Sequence, residues 1–213
     1  AWMPAPLQRA LVSAHIRRQA KARGARRGPS PLFYFVTNRC NLRCQHCFYA
    51  SELSKSYHEL NVGEVQAIAR SLKGAGTSII LCGGEPFVRK DITDIAVAFA
   101  EEGGIEDIAI TTNGFYTDRI LATAEAFAAK AKSGLRIAVS LDGPADIHNK
   151  IRRNAEAFAK ADQTIRALER VSQRTDRIKV IINAVVSSEN IDVFPAFYRY
   201  VRENYRADFT FTF

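Results

Sequence analysis

Apolar residues along this chain fall into two alternating patterns: short β-branched or aromatic runs, and longer stretches at helical spacing. The runs predict strands over 32–36, 78–82, 107–111, 135–141, 178–186 and 209–213. Two of them, Ile178-Lys-Val-Ile-Ile182 and Leu135-Arg-Ile-Ala-Val139, are mostly aliphatic, as in strands covered on both faces. Between the runs lie helical stripes: Val65, Ile68 and Leu72; Ile92, Ile95 and Phe99; Ile120, Ala124 and Phe127; Phe158, Ala161, Ile165 and Leu168. Asn61 and Glu64 form a capping-box pair ahead of the first stripe. Gly103-Gly104 stops the second and Gly134 ends the third. Pro195 is tolerated only in a first helical turn, so the last helix is predicted to start near Val193.

Strict strand-then-helix alternation implies parallel strands joined by right-handed crossovers. The periodicity alone leaves open whether the sheet is doubly wound or curls into a barrel. In both cases chemistry gathers beyond the carboxyl ends of the strands. There the polar and glycine-bearing segments fall: the cysteine loop after the first run, Gly83-Gly84-Glu85-Pro86 after the second, Thr111-Thr112-Asn113-Gly114 after the third, Ser140-Leu141-Asp142-Gly143 after the fourth, and Asn183 on the fifth.

Residues 37–48 read TNRCNLRCQHCF, with Cys40, Cys44 and Cys47 in a CxxxCxxC spacing. Structural metal sites take four protein ligands, and an ordinary iron–sulfur cluster takes four cysteines. Three thiolates from one loop would leave one iron of a [4Fe–4S] cluster free to bind something else. A zinc knuckle would have to recruit His46, which is adjacent to Cys47 and reaches the same ion poorly. Cys82 is the remaining cysteine. As a fourth ligand it would close the open position, whereas as a strand residue it reads as a small buried hydrophobe.

The cysteine loop resembles that of the radical S-adenosylmethionine (SAM) superfamily, in which an aromatic or similar residue, here His46, precedes the last cysteine. The resemblance covers residues 31–213. It implies an α/β fold, a partial (β/α)6 barrel, and a [4Fe–4S] cluster on Cys40, Cys44 and Cys47. It also implies that SAM chelates the open iron and is cleaved reductively to a 5′-deoxyadenosyl radical that abstracts hydrogen from substrate. By the same resemblance, Gly83, Gly84 and Glu85 meet the methionine ammonium, with the glycines allowing close backbone approach to a ligand. Ser140-Leu-Asp-Gly with His148 and Arg152 is similar to an SLDG…HDxxRG stretch of peptide- and lipid-modifying members. Ser140 or Asp142 would then touch ribose or substrate, and Arg152 would pair with the SAM carboxylate. Asn149 and Arg153 depart from that pattern, and the Arg152-Arg153 doublet leaves the inward-facing arginine open. Asn183 and Asn113 are candidates for lining the SAM pocket, with strand-end or turn roles as alternatives. Phe48, Tyr49 and Tyr57 could shield the cluster from solvent.

Among functions, hydrogen abstraction from a peptide leads, with lipid or small-molecule biosynthesis as the alternative. A non-catalytic iron–sulfur or zinc binding module is the reading from a different class. An electron donor such as flavodoxin or ferredoxin is the implied partner.

Composition sets the frame. A 213-residue chain that is 47% hydrophobic and 24% charged supports one domain with a substantial core. No apolar run approaches the ~20 residues that span a bilayer, and few cysteines clustered together suit a reducing, cytoplasmic compartment. The net charge of +8 is uneven, since Arg9, Arg17, Arg18, Lys21, Arg23, Arg26 and Arg27 precede any acidic residue. Residues 1–31 therefore read as a basic leader, helical or extended, that is either a solvated or packing helix or a contact for an anionic surface. Residues 32–213 read as the barrel core, trimmed after its sixth strand.

Overall fold

The computed structural model describes residues 31–75 and 77–213, so the leader, except for Pro31, lies outside the described residues. Six strands alternate with helices: β1 (Leu32–Thr37), α1 (Val62–Ser71), β2 (Ser78–Gly83), a 3₁₀ turn (Pro86–Val88), α2 (Ile92–Glu101), β3 (Asp107–Thr112), α3 (Thr117–Lys130), β4 (Gly134–Ser140), α4 (Ala145–Arg152), α5 (Ala157–Ser172), β5 (Ile178–Val185), α6 (Phe194–Asn204) and β6 (Asp208–Thr212). Every predicted strand is present. The Asn61–Glu64 capping box forms, and Pro195 sits in the first turn of α6. The unanticipated element is α4, whose eight residues carry too few apolar positions to show a stripe, and it gives the fourth crossover two helices.

The sheet order β1-β2-β3-β4-β5-β6, parallel throughout, decides the architecture. A doubly wound sheet reverses its strand order at a switch point, which sends crossovers to both faces. Strands in chain order send every right-handed crossover to one face. Each end strand pairs on one side only, giving an open partial (β/α)6 barrel.

Burial follows the same division. Ile79, Leu81, Ile108, Ile110, Leu135, Ile137, Val180 and Ile182 face the helices and join Phe99, Phe127, Ile165 and Leu168 in the core. The alternate positions Phe33, Phe35, Ile80, Cys82, Arg136, Ser140, Lys179, Asn183 and Thr210 form the opposite face and are half-buried or exposed.

At the carboxyl end of this face, the chain leaving β1 is clasped to the end of β2. Gly84 N donates to Thr37 O and Glu85 N to Arg39 O, both at 2.8 Å. The approach is so close that a Cβ on Gly84 would lie 2.1 Å from Arg39 O, and one on Gly83, at φ +127°, would lie 2.3 Å from Thr37 O. These two glycines thus make a close approach to the chain's own backbone.

Gly84→Ala is therefore expected to destabilise the protein by about 3 kcal/mol, because backbone has to move to admit the methyl group. Urea denaturation checks this, and a loss under about 1 kcal/mol would sink the clasp as a structural requirement.

Candidate functional site

The segment after β1 contains no helix or strand before α1, yet its backbone is held from several sides. Asn38 Nδ2 donates to Glu52 O at 3.0 Å and to Lys55 O at 2.5 Å, closing the loop on itself. Arg89, 5% exposed, donates to Val36 O and Leu60 O and pairs with Asp91 at 2.6 Å. Leu42, 4% exposed, provides an apolar anchor. Asn41 Oδ1 accepts from Asn113 Nδ2 at 2.9 Å, tying the loop to the end of β3. Gln45 N donates to Ile151 O at 2.8 Å, tying it to α4.

Cys40, Cys44 and Cys47 are all half-buried and unpaired. Burial pushes the Cys40 thiol up to about 11 and also raises Cys44. Leu42 N lies 3.4 Å from Cys40 Sγ, and Arg152 Nη1 lies 3.7 Å from Cys44 Sγ. Among the described residues, no three His, Cys, Asp or Glu side chains converge on one ion position. Cys82 lies on the open face of β2 opposite Phe35, and burial raises its thiol to about 11.

Glu85 is 1% exposed. Oε1 accepts from Phe87 N at 3.1 Å and Thr112 Oγ1 at 2.8 Å, and Oε2 accepts from Asn113 N at 2.8 Å. Burial pushes its carboxyl up to about 7 against the pull of these donors. Glu85 and Asn113 are thus brought together, and both join strand ends to the cysteine loop.

Asp142 is 0% exposed. Its Oδ2 accepts from Arg152 Nε at 2.7 Å and its Oδ1 from Val185 N at 3.1 Å. Burial works to raise its carboxyl, but the neighbouring Arg152 guanidinium outweighs that and holds it well below the usual range. The arginine doublet is resolved by backbone geometry. Arg152 ends α4 and is 8% exposed, whereas Arg153 is the left-handed cap at φ 53° and is exposed. His148 Nδ1 accepts from Asp142 N at 3.0 Å, so its ring proton sits on Nε2, and burial keeps the ring neutral. Nε2 is buried without a partner among the described residues, as is Nδ1 of the half-buried His46.

Ser140 and Asn183 are register neighbours on the open face, and Thr210 Oγ1 donates to Asn183 Oδ1 at 3.2 Å. They form a polar pair at the barrel mouth. Phe35 packs on Tyr49 at 5.0 Å between ring centres, but Phe48 is 85% exposed and Tyr57 is 55% exposed, so these two do not shield the loop. Reading the sequence missed Asn41, Asn38, Arg89 and Asn190. Asn190, 1% exposed, donates to Asp142 O at 2.7 Å and Val185 O at 2.8 Å. Asn41, inside the cysteine motif, carried the one available signal: a short amide among metal-spaced cysteines.

The chain is similar to known proteins both in sequence and in fold. The family model for the Radical SAM superfamily matches residues 34–201. An Fe-coproporphyrin III synthase of Methanosarcina barkeri is 34% identical over 171 residues, covering 79% of this chain and 40% of its own length. A GTP 3′,8-cyclase of Moorella thermoacetica is 38% identical over 110 residues, or 50% of this chain and 32% of its own length. The chain thus spans 40% or less of these two curated relatives. Among solved structures, native anSMEcpe with bound AdoMet and Kp18Cys peptide superposes with a TM-score of 0.68 at 22% identity, over 85% of this chain and 50% of that one. Streptococcus suis SuiB bound to precursor peptide SuiA gives 0.68 at 21% identity, over 99% and 45%. At such identities the likeness is one of fold.

The raised carboxyl of Glu85 makes its contribution to stability depend on pH. Relative to an ordinary glutamate near 4.5, the folded value near 7 means that the contribution is fully present below pH 4.5 and is lost as pH rises through 7. Glu85→Ala in the cofactor-free protein is expected to cost more at pH 5 than at pH 8, by on the order of 1–3 kcal/mol. Equal costs in urea denaturation at the two pH values would overturn the buried, raised carboxyl.

Proposed function

The chain belongs to the radical SAM superfamily, and on that premise we propose that it is the cofactor-binding barrel of an enzyme that cleaves SAM and abstracts hydrogen from a substrate. The family's cofactors are a [4Fe–4S] cluster and SAM. When bound they supply one-electron reductive cleavage of the sulfonium and the radical that takes the hydrogen atom.

The observation that carries this reading is the donor set of the loop. Three half-buried thiols come from one short segment whose backbone is held from several sides. A structural zinc site takes four protein ligands. In a cubane, Cys40, Cys44 and Cys47 would each hold a different iron. The fourth iron would be left for SAM, and Cys82, on the open face of β2, is not assigned to it.

Around that position, Gly83, Gly84 and Glu85 would meet the methionine ammonium. Arg152 has guanidinium donors beyond those used on Asp142 and Cys44, and these would hold the carboxylate. Ser140 and Asn183 would bond the ribose, and His46 and Asn113 would line the pocket. Asp142 acts from behind by orienting Arg152. Four free cysteines fit a reducing, cytoplasmic compartment, and a flavodoxin or ferredoxin would supply the electron. Among the described residues, no helix is long and apolar enough to cross a membrane.

The substrate would sit over the carboxyl ends of the strands. A peptide substrate is supported by the SLDG resemblance and by two fold neighbours solved with peptides. A precursor of an iron porphyrin is the second reading for the substrate, favoured by the 34% identity with the M. barkeri synthase, and the exposed rings of Phe33 and Phe35 suit a flat ligand.

Anaerobic reconstitution followed by EPR of the reduced protein, with and without SAM, tests the proposal. A [4Fe–4S]⁺ signal that changes on adding SAM, with 5′-deoxyadenosine released under reductant, is expected. Cys44→Ala should abolish cluster loading, whereas Cys82→Ala should retain it. A cluster indifferent to SAM, or loading lost in Cys82→Ala, would favour a binding module instead. Stimulation of 5′-deoxyadenosine release by a peptide or by an iron tetrapyrrole precursor of a porphyrin then separates the two substrate readings.

A further inference from the structure

Two of the loop sulfurs, those of Cys40 and Cys44, sit in unlike electrostatic surroundings. Cys40 Sγ faces the backbone N–H of Leu42. Cys44 Sγ faces a guanidinium, with Arg152 Nη1 at 3.7 Å. The other arginines of the loop are turned elsewhere: Arg39 pairs with Glu59, and Arg43 bonds Cys40 O, Leu42 O and Ser54.

Arg152 is not free to choose its position. Its Nε is fixed on Asp142 Oδ2 at 2.7 Å, and that carboxylate is itself fixed by Val185 N at 3.1 Å. Asn190 holds the carbonyl of Asp142, and His148 Nδ1 accepts from its N–H. The pair is nearly dry, with side chains 9% and 0% exposed, so its field on the sulfur is weakly screened. Removing either partner leaves the other charge buried and alone.

We propose that Asp142 and Arg152 form a positioning pair that sets the reduction potential of the iron–sulfur centre through Cys44. A donor and positive charge at a ligand sulfur stabilise the reduced, more negative cluster, and the buried carboxylate fixes the direction and size of that effect. The inference rests on the reading of Cys44 as a cluster ligand. It differs from the carboxylate-binding role of Arg152 because it acts before SAM arrives.

The test is an EPR-monitored potentiometric titration of the full chain, reconstituted anaerobically and kept free of SAM, with iron and sulfide content measured alongside. Arg152→Met is expected to move the midpoint negative. Poised at the wild-type midpoint, its reduced-to-oxidised ratio should fall about tenfold, equivalent to about 59 mV for a one-electron couple. Arg152→Lys keeps a charge without the planar fork and is expected to fall between Arg152→Met and wild type. Asp142→Asn leaves the guanidinium charge uncompensated and is expected to move the midpoint positive.

Opposite signs at the two positions are what a merely structural pair would not produce. Shifts of the same sign, or unchanged midpoints at full iron content, would overturn the proposal. If Arg152→Met fails to hold a cluster, Arg152→Lys and Asp142→Asn decide on the same criterion. A wild-type chain that takes up no cluster overturns the ligand reading itself, which is distinguishable from loaded variants whose potentials do not move.

Discussion

Asp142 is a carboxylate from which water has been removed, and much of the barrel mouth is arranged to make that tolerable. An unpaired buried charge costs several kcal/mol, so each neighbour is constrained by it. Arg152 has to end α4 with its guanidinium turned inward. Val185 N is drawn from β5 to the carboxylate, and Asn190 reaches back to the carbonyl of the same residue. One side chain thus locks β4, β5, α4 and the turn after β5, and through Arg152 it reaches the cysteine loop. The energetic worth of such a pair lies less in stability than in leaving few alternative arrangements.

The opposite side of the loop is fixed by different means. Gly83 and Gly84 let the strand ends of β1 and β2 touch backbone to backbone, and Glu85 bonds onward to the end of β3. The loop is therefore held by a backbone clasp at one edge and by an ion pair with a helix end at the other. A segment without regular structure can hold a cofactor reproducibly only if its backbone groups are satisfied in this way.

How much of this could be read from the sequence depended on whether a residue's partner was local. Strand runs such as Ile178-Lys-Val-Ile-Ile182 declare themselves because burial against the helices selects aliphatic side chains. The cysteine spacing and the Asn61–Glu64 cap were legible because each is complete within a few residues. Sheet order was not legible from alternation, which fits both a doubly wound sheet and a barrel; the resemblance of the cysteine loop implied the barrel, and the pairing of each strand with its chain neighbours bears that out. Gly84 and Asp142 were seen, but their partners within the chain, Arg39 O and Arg152, were not. The Arg152-Arg153 doublet turned on one backbone dihedral, φ 53° at Arg153, which composition does not announce.

The burial that organises the loop also sets the chemistry of loading it. Burial raises Cys40 to about 11 and raises Cys44 as well, which favours the protonated thiols. On the reading of these cysteines as cluster ligands, iron would have to displace those protons, so cofactor uptake would release acid and depend on pH. The same desolvation that disfavours a bare thiolate strengthens its bond to a cation and the field of Arg152 upon it. The low dielectric around Cys44 is therefore a condition that the buried Asp142–Arg152 pair and the half-buried thiols share.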